Sequence, residues 1–250
     1  MTVRIIYLQL QCVWSIAKKN IRIYYSKGPV VIFGIMFPIF LFLSFIIGRE
    51  LSLSFLMPGL LGMTLFFTST AISPAIIPWE TQAKTLERLM SCPVTIPTII
   101  LGDILASFIF GVLITTVPII IGLILGMTVA FPVIFALSIV LAAFCFSSLG
   151  LIFSATPTSL PSNVMMLSSM IKFPLIFISG IFIPLHQLPV WGQAFSYISP
   201  LTYFTDIARH SIEGKGRLPI VIDLLLLLAF TVLFLMIAIW LHKKTMPKRI

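Results

Sequence analysis

Charge is what this sequence has least of. Only 9% of its 250 residues are Asp, Glu, Lys or Arg, against roughly 25% in an average soluble domain. With 59% hydrophobic residues, a soluble fold of this size has nowhere to hide its apolar surface, so the solvent around it must be lipid. The apolar residues fall in long continuous blocks rather than alternating over about ten residues, which excludes a transmembrane β-barrel. What remains is an all-α integral membrane protein. Cysteine is scarce too: Cys12, Cys92 and Cys145 are odd in number and form no CxxC, so neither structural disulfides nor a metal site is expected. His186, His210 and His242 lie far apart without ligand spacing, and HExxH and GxSxG are absent, so no catalytic residue is expected either. There is no G-x-x-x-x-G-K-[ST]; the single Gly-Lys, Gly214–Lys215, is followed by Gly. The chain therefore cannot cradle ATP phosphates in a P-loop and binds no cofactor of its own by that device. The first 29 residues are interrupted by Arg4, Lys18, Lys19, Arg22 and Lys27 and offer no clean apolar core for a cleavable signal peptide.

What is present is a series of apolar runs, each near the ~20 residues that cross a bilayer as a helix. Breakers divide them: Gly48 with Arg49 and Glu50, then "GMTVAFP" at 126–132 and "ATPTSLPSN" at 155–163. Six transmembrane helices are expected, at 30–47, 55–77, 99–125, 133–154, 164–183 and 220–241, in a single permease domain covering 1–250. Six crossings put both termini on one side. That side holds eleven Lys and Arg (Arg4, Lys18, Lys19, Arg22 and Lys27; Lys84 and Arg88; Lys243, Lys244, Lys248 and Arg249) against Arg49, Arg209, Lys215 and Arg217 opposite. The asymmetry places both termini in the cytoplasm, with the chain in the plasma membrane. The basic residues at the two ends face anionic headgroups rather than nucleic acid. Residues 1–29 read as an interfacial helix, with Ile6, Leu10, Val13, Ala17, Ile21 and Tyr24 on its apolar face and Trp14, Tyr24 and Tyr25 suited to the membrane surface.

One charged island interrupts the middle of the chain. "WETQAKTLERLM" carries Glu80, Lys84, Glu87 and Arg88, with Asp103 shortly after. As a helix over 79–91 it has Trp79, Ala83, Leu86 and Met90 on one face and pairs Glu80 with Lys84 at i,i+4, before Pro93 and Pro97 end it. Such an amphipathic rod either packs on the bundle, docks in a groove of another protein, or merely turns the chain.

"TLERLMSCPVTIPTIILGDILA" resembles the segment after the second span in type-2 permeases of ABC exporters. Thr85, Leu86, Glu87, Leu89, Met90, Pro93 and Gly102 fit that pattern, whereas Lys84 stands where Gly is common and Asp103 where Lys is common. "SGIFIPLHQLPVWGQAFSYISPLTYFTDIARHSIEGKG" is similar to a second motif of the family, through Ser179, Gly180, Pro184, Leu185, Leu188, Pro189, Trp191, Pro200, Leu201, Thr202, Tyr203, Arg209 and Gly214. The resemblance implies a half-transporter that pairs with a second permease copy, as a homodimer or beside a related chain, and works with two separate cytoplasmic ATPases that bind the ATP and Mg. It implies that 79–91 is a coupling helix, with Glu80, Lys84, Leu86, Glu87 and Arg88 meeting the ATPase. It also implies that 184–218 is a re-entrant helical pair forming an outer gate that includes Pro184, Trp191, Pro200, Tyr203 and Arg209.

Lys172 sits deep in the fifth span, where a cation costs about 2.5–3.5 kcal/mol. It either lines a pathway for an anionic group or snorkels to the headgroups. Thr64, Thr68 and Ser69 make one face of the second span mildly polar; the resemblance implies that the second and fifth spans border the substrate path, and ordinary interhelical hydrogen bonding is the alternative. Asp103 and Asp223 are expected at the membrane interfaces, with Asp103 as a first-turn acid of the third span, and Gly122-x-x-x-Gly126 as a weak helix-packing pattern. The expected activity is export of a hydrophobic or amphipathic molecule, drug-like or lipid, with a lipid-linked polysaccharide as second choice. An ATP-independent secondary transporter would need an internal repeat or a buried ionisable cluster, and an intramembrane enzyme would need paired catalytic groups at depth; neither is evident.

Overall fold

A computed structural model describes residues 2–47, 53–183, 185–214 and 216–249; the expectations on Arg49, Pro184 and Lys215 fall outside them. Helix α1 (Thr2–Asn20) runs into one π-helical turn (Ile21–Tyr25). After it come α2 (Gly28–Ile46), α3 (Leu53–Ser69), α4 (Ile76–Gln82), α5 (Thr85–Met90), α6 (Ile96–Ile124), α7 (Pro132–Ser154), α8 (Pro161–Ile178), α9 (Val190–Ser196), α10 (Pro200–Glu213) and α11 (Ile220–Thr245). No strand occurs among the described residues. Helices α6, α7, α8 and α11 are each long and apolar enough to cross a membrane. The pieces Tyr7–Tyr25 and Val30–Phe40 make a fifth span only if their 90° bend is counted as one broken crossing.

The helix starts follow proline chemistry. Pro29, Pro97, Pro132, Pro161 and Pro200 all occupy first-turn positions, where a missing N–H is harmless and φ is already helical. Pro97 therefore opens α6 instead of closing the island. As a result Asp103 sits beyond the first turn of α6, and the first-turn acid expected there is corrected. Gly126 takes φ 91° just after α6, a left-handed helix stop. Gly122, by contrast, is packed so closely on Met57 that an added Cβ would lie 2.5 Å from its methyl carbon. The two glycines thus do different jobs and form no joint packing seam.

The expected second span, 55–77, is divided. Helix α3 ends at Ser69 and α4 begins at Ile76. Pro74 has no N–H to continue the helical ladder. The Thr70 hydroxyl donates to the Phe66 carbonyl at 2.6 Å and the Ser73 hydroxyl to the Ser69 carbonyl at 3.2 Å, local bonds that offer the backbone an alternative to a straight helix.

The main core lies where α3, α7, α10 and α11 meet, around Leu61, Leu65, Phe66, Phe146, Leu201, Phe204 and Leu227. Two smaller cores seat the peripheral helices. Ile16, Ile77, Leu86, Ile100 and Met246 cluster together, as do Ala17, Tyr25, Ile76, Ala106 and Phe110. Both join α1 to α6 and to the α4–α5 region. The spans α8 and α11 keep only 22% and 11% of their most apolar stretches buried; on α8, Met166, Met170, Phe173 and Phe177 are exposed. The loops place α1, α4, α5, the α7–α8 connection and the chain's last turn at one end of the bundle, since Thr81, Thr158 and Lys248 line one cleft there. Helices α9 and α10 lie toward the other end, where the Ala130 N–H donates to the Ser211 carbonyl at 2.7 Å.

Candidate functional site

The island forms two short helices rather than the single helix expected over 79–91. Lys84 separates them with φ 54°, alone among the described non-glycine residues in taking a positive φ. A side chain in that left-handed conformation costs about 1–2 kcal/mol, which gives a physical reason for the glycine usual at this position in the resembling permeases. The turn at Lys84 reorients α5 relative to α4. Leu86 is buried in the core formed with Ile16, Ile100 and Met246, while Lys84, Thr85, Glu87 and Arg88 are exposed. Ala83 is exposed as well, so the apolar face expected to unite Trp79, Ala83, Leu86 and Met90 is broken up.

Glu80 does not pair with Lys84. Its side chain is 2% exposed and forms an ion pair with Lys19 of α1. Next along α1, the Asn20 amide donates to the Asp103 carboxylate, with both residues buried. Asp103 is thus an internal polar joint rather than a free acid. Tyr24 stacks on Trp79 with ring centroids 5.4 Å apart, and the Thr98 hydroxyl donates to Gln9 Oε1 at 2.5 Å. Gly102 lets α1 and α6 touch: a Cβ there would come within 2.6 Å of the Ile16 Cγ2 atom. The docked face of α1 is Ile16, Ala17 and Asn20, with Leu10 exposed, so the expected apolar stripe through Leu10 is rotated. Nothing local in the sequence marks Lys19–Glu80 or Asn20–Asp103, because the partners lie 61 and 83 residues apart.

Above this joint a groove of 480 Å³ opens between α2, α3 and α8, walled by Phe37, Phe67, Trp79 and Phe173. Lys172 lines it, and its ammonium donates to the Thr70 carbonyl at 3.2 Å. That carbonyl lies where α3 breaks, so the cation caps the negative end of a helix within the bundle. Thr64, Thr68 and Ser69 do not line the groove. They are buried; Thr68 donates to the Thr64 carbonyl at 2.7 Å, and Ser69 lies so near Gly111 that a Cβ on the glycine would meet its hydroxyl.

At the other end the expected gate residues separate into two groups. Pro200 and Tyr203 are buried in α10, which inserts among α3, α7 and α11. Trp191 on α9 is 65% exposed, beside exposed Val190, Phe195 and Ile198. Side chains sew this end to nearby backbone. Tyr203 donates to the Tyr197 carbonyl at 2.6 Å, Arg209 to the Gly180 carbonyl at 2.6 Å, and Thr205 to the Ser179 carbonyl at 3.2 Å. Arg209 also lies over the Phe55 ring at 4.7 Å. Asp206 accepts the backbone N–H groups of Arg217 and Leu218 at 2.9–3.0 Å. Asp206 is not among the residues expected to act here, although an acid shortly before the turn at Gly214 is placed to close such a loop. Asp223, in the first turn of α11, is buried beside it.

Residues 11–212 match the family model for ABC-2 type transporters. The inner membrane transport permease YadH of Escherichia coli (strain K12) is 24% identical over 189 residues, covering 74% of this chain and 72% of that protein. The probable multidrug ABC transporter permease YbhR of the same organism is 25% identical over 173 residues, covering 67% of this chain and 46% of that one. With the matched segment taking in the α4–α5 turn, the Lys172 groove and nearly all of α10, the chain belongs to the ABC-2 type transporter family of membrane proteins.

Proposed function

We propose that this chain is the membrane-spanning subunit of an ATP-driven exporter for a hydrophobic or amphipathic molecule, a drug-like compound or a lipid, with separate ATPase subunits supplying the hydrolysis. The observation that carries the reading is the split character of α5: Leu86 anchors it to the bundle while Lys84, Glu87 and Arg88 face outward. A rod held from behind by apolar packing and presenting mixed charge in front can be pushed by a partner and pass the displacement inward. Glu80 acts on the inner side of that lever, through Lys19, and not at the ATPase surface. The names of the relatives, a transport permease and a probable multidrug permease, support the same class.

In this reading α2, α3, α6, α7, α8 and α11 make six crossings, with both termini and the α4–α5 lever in the cytoplasm. The exposed apolar faces of α2 and α8 meet a second permease copy. Cargo passes along the Lys172 groove, whose aromatic walls accept an apolar body and whose cation accepts a negative group. ATP binding draws the ATPases together, drives the lever and rocks the two bundles open outward, with α9 and α10 as the outer lid. The reading is tested by purifying the chain with the ATPase that accompanies it. Joint charge reversal, Glu87→Lys with Arg88→Glu, should cut the retained ATPase about tenfold or more, as expected when charges at an interface meet the wrong sign. Unchanged retention and unchanged stimulated hydrolysis would remove the coupling role.

A further inference from the structure

A second cleft, of 420 Å³, lies at the end of the bundle beside the lever and apart from the cargo path. Its walls come from three separate places: Thr81 of α4, Pro157–Ser159 between α7 and α8, and Lys244, Thr245, Lys248 and Arg249 at the end of α11. Three cations line it and, among the described residues, no carboxylate does.

The donors are specific. One Arg249 nitrogen, Nη2, donates to the carbonyls of Ser154 and Thr156 and so is fixed by the end of α7. Its Nε and Nη1 are buried without a partner among the described residues. Burial pushes the guanidinium below its ordinary value, the direction expected for a cation lacking a counter-charge. Thr158 accepts the Leu160 N–H at 3.2 Å, which leaves its own hydroxyl proton to donate. Thr81 and Thr245 already donate to backbone carbonyls, of Ile77 and Leu241, so they shape the cleft rather than bind in it.

Depth in the membrane identifies the occupant. Lys244 lies over the Trp240 ring at 5.6 Å, and Trp240 is exposed on the apolar surface of α11. A tryptophan with lysines one turn later, at the end of an apolar helix, marks the headgroup level of a bilayer. We propose that this cleft binds the phosphodiester of an anionic phospholipid from the adjoining leaflet, and that the bound headgroup staples α4, the α7–α8 connection and the end of α11 together. An acidic protein surface would suit the charge but not the level of Trp240.

The test uses the full-length protein in mixed micelles, reading retained lipid by native mass spectrometry and stability by thermal unfolding. Wild-type protein should retain phosphatidylglycerol about tenfold or more over phosphatidylcholine, and the double variant Lys244→Gln/Lys248→Gln should lose most of that preference, each basic residue near a headgroup contributing severalfold. Both lysines are exposed, so the variant keeps its fold. Lys243→Gln, an exposed neighbour that does not line the cleft, should change retention less than about twofold. Equal retention of the two lipids, or an unchanged double variant, overturns the proposal. So does stabilisation by inorganic phosphate equal to that by phosphatidylglycerol, which would assign a soluble anion. A double variant that keeps its lipid preference but loses the accompanying ATPase would assign the cleft to an acidic protein surface instead.

Discussion

The two ends of the bundle are held together by different chemistry. Near α1 three contacts run between side chains distant in sequence, Lys19 with Glu80, Asn20 with Asp103 and Gln9 with Thr98, and Gln9 also holds the backbone of Pro93 and Thr95. Near α10 most contacts run from a side chain to nearby backbone, as with Tyr203 to the Tyr197 carbonyl and Asp206 to the N–H groups of Arg217 and Leu218. A side-chain pair can separate and re-form without unfolding either helix. A backbone N–H clasped by the buried Asp206 carboxylate cannot be released without leaving that carboxylate unmet, at about 1–3 kcal/mol. The first end is thus built as a joint and the second as a plug.

The largest effect should come from breaking the joint. Lys19→Met leaves Glu80 buried without its ion pair. A loss of about 2–3 kcal/mol is expected, at the lower end for a broken buried pair because the Lys19 side chain is itself 33% exposed. Thermal unfolding in detergent reads the stability, and ATP hydrolysis by the associated complex should become less responsive to the permease. A variant of wild-type stability would show that the pair holds nothing.

Loosening the plug should do less. Asp206→Ala hands the N–H groups of Arg217 and Leu218 to water and should cost about 0.5–1.5 kcal/mol, while ATPase retention stays at the wild-type level. If this variant sheds the ATPase and Lys19→Met does not, the assignment of joint and plug is reversed. The smallest effect should have the opposite sign. Lys84→Gly relieves the left-handed strain at φ 54°, partly offset by greater freedom in the unfolded chain, for a net gain of about 0.5–1 kcal/mol. Lys84→Val should destabilise, and a destabilised glycine variant would show that the lysine side chain itself is needed.

Much of the helical framework was legible because lipid demands long apolar runs and proline marks helix starts. Within the helical pair implied over 184–218, the helices start at Val190 and Pro200, where Pro189 and Pro200 fix the first turns. The break at 70–75 was not legible: its apolar surroundings hide a local competition between hydroxyls and the helix ladder, settled by the Lys172 contact from another helix. Glu80 and Asp103 were misplaced for the same reason. A carboxylate next to a membrane reads as solvent-facing unless its partner is known, and Lys19 and Asn20 reach them only once α1 has docked on α6. Thr64, Thr68 and Ser69 drew attention as polar groups in an apolar helix; all three are buried, the Thr68 hydroxyl bonds within α3, and Ser69 packs against Gly111. At the family level two ordered motifs sufficed, although Lys84 departs from the first of them at the left-handed position.

In the proposed mechanism movement originates outside this chain. Its direct test is the transfer of a fluorescently labelled phospholipid across proteoliposomes containing the chain alone or the chain with its ATPase. Transfer that requires both the ATPase and hydrolysable ATP is the predicted result; equal transfer by the chain alone, with no nucleotide present, would contradict the account.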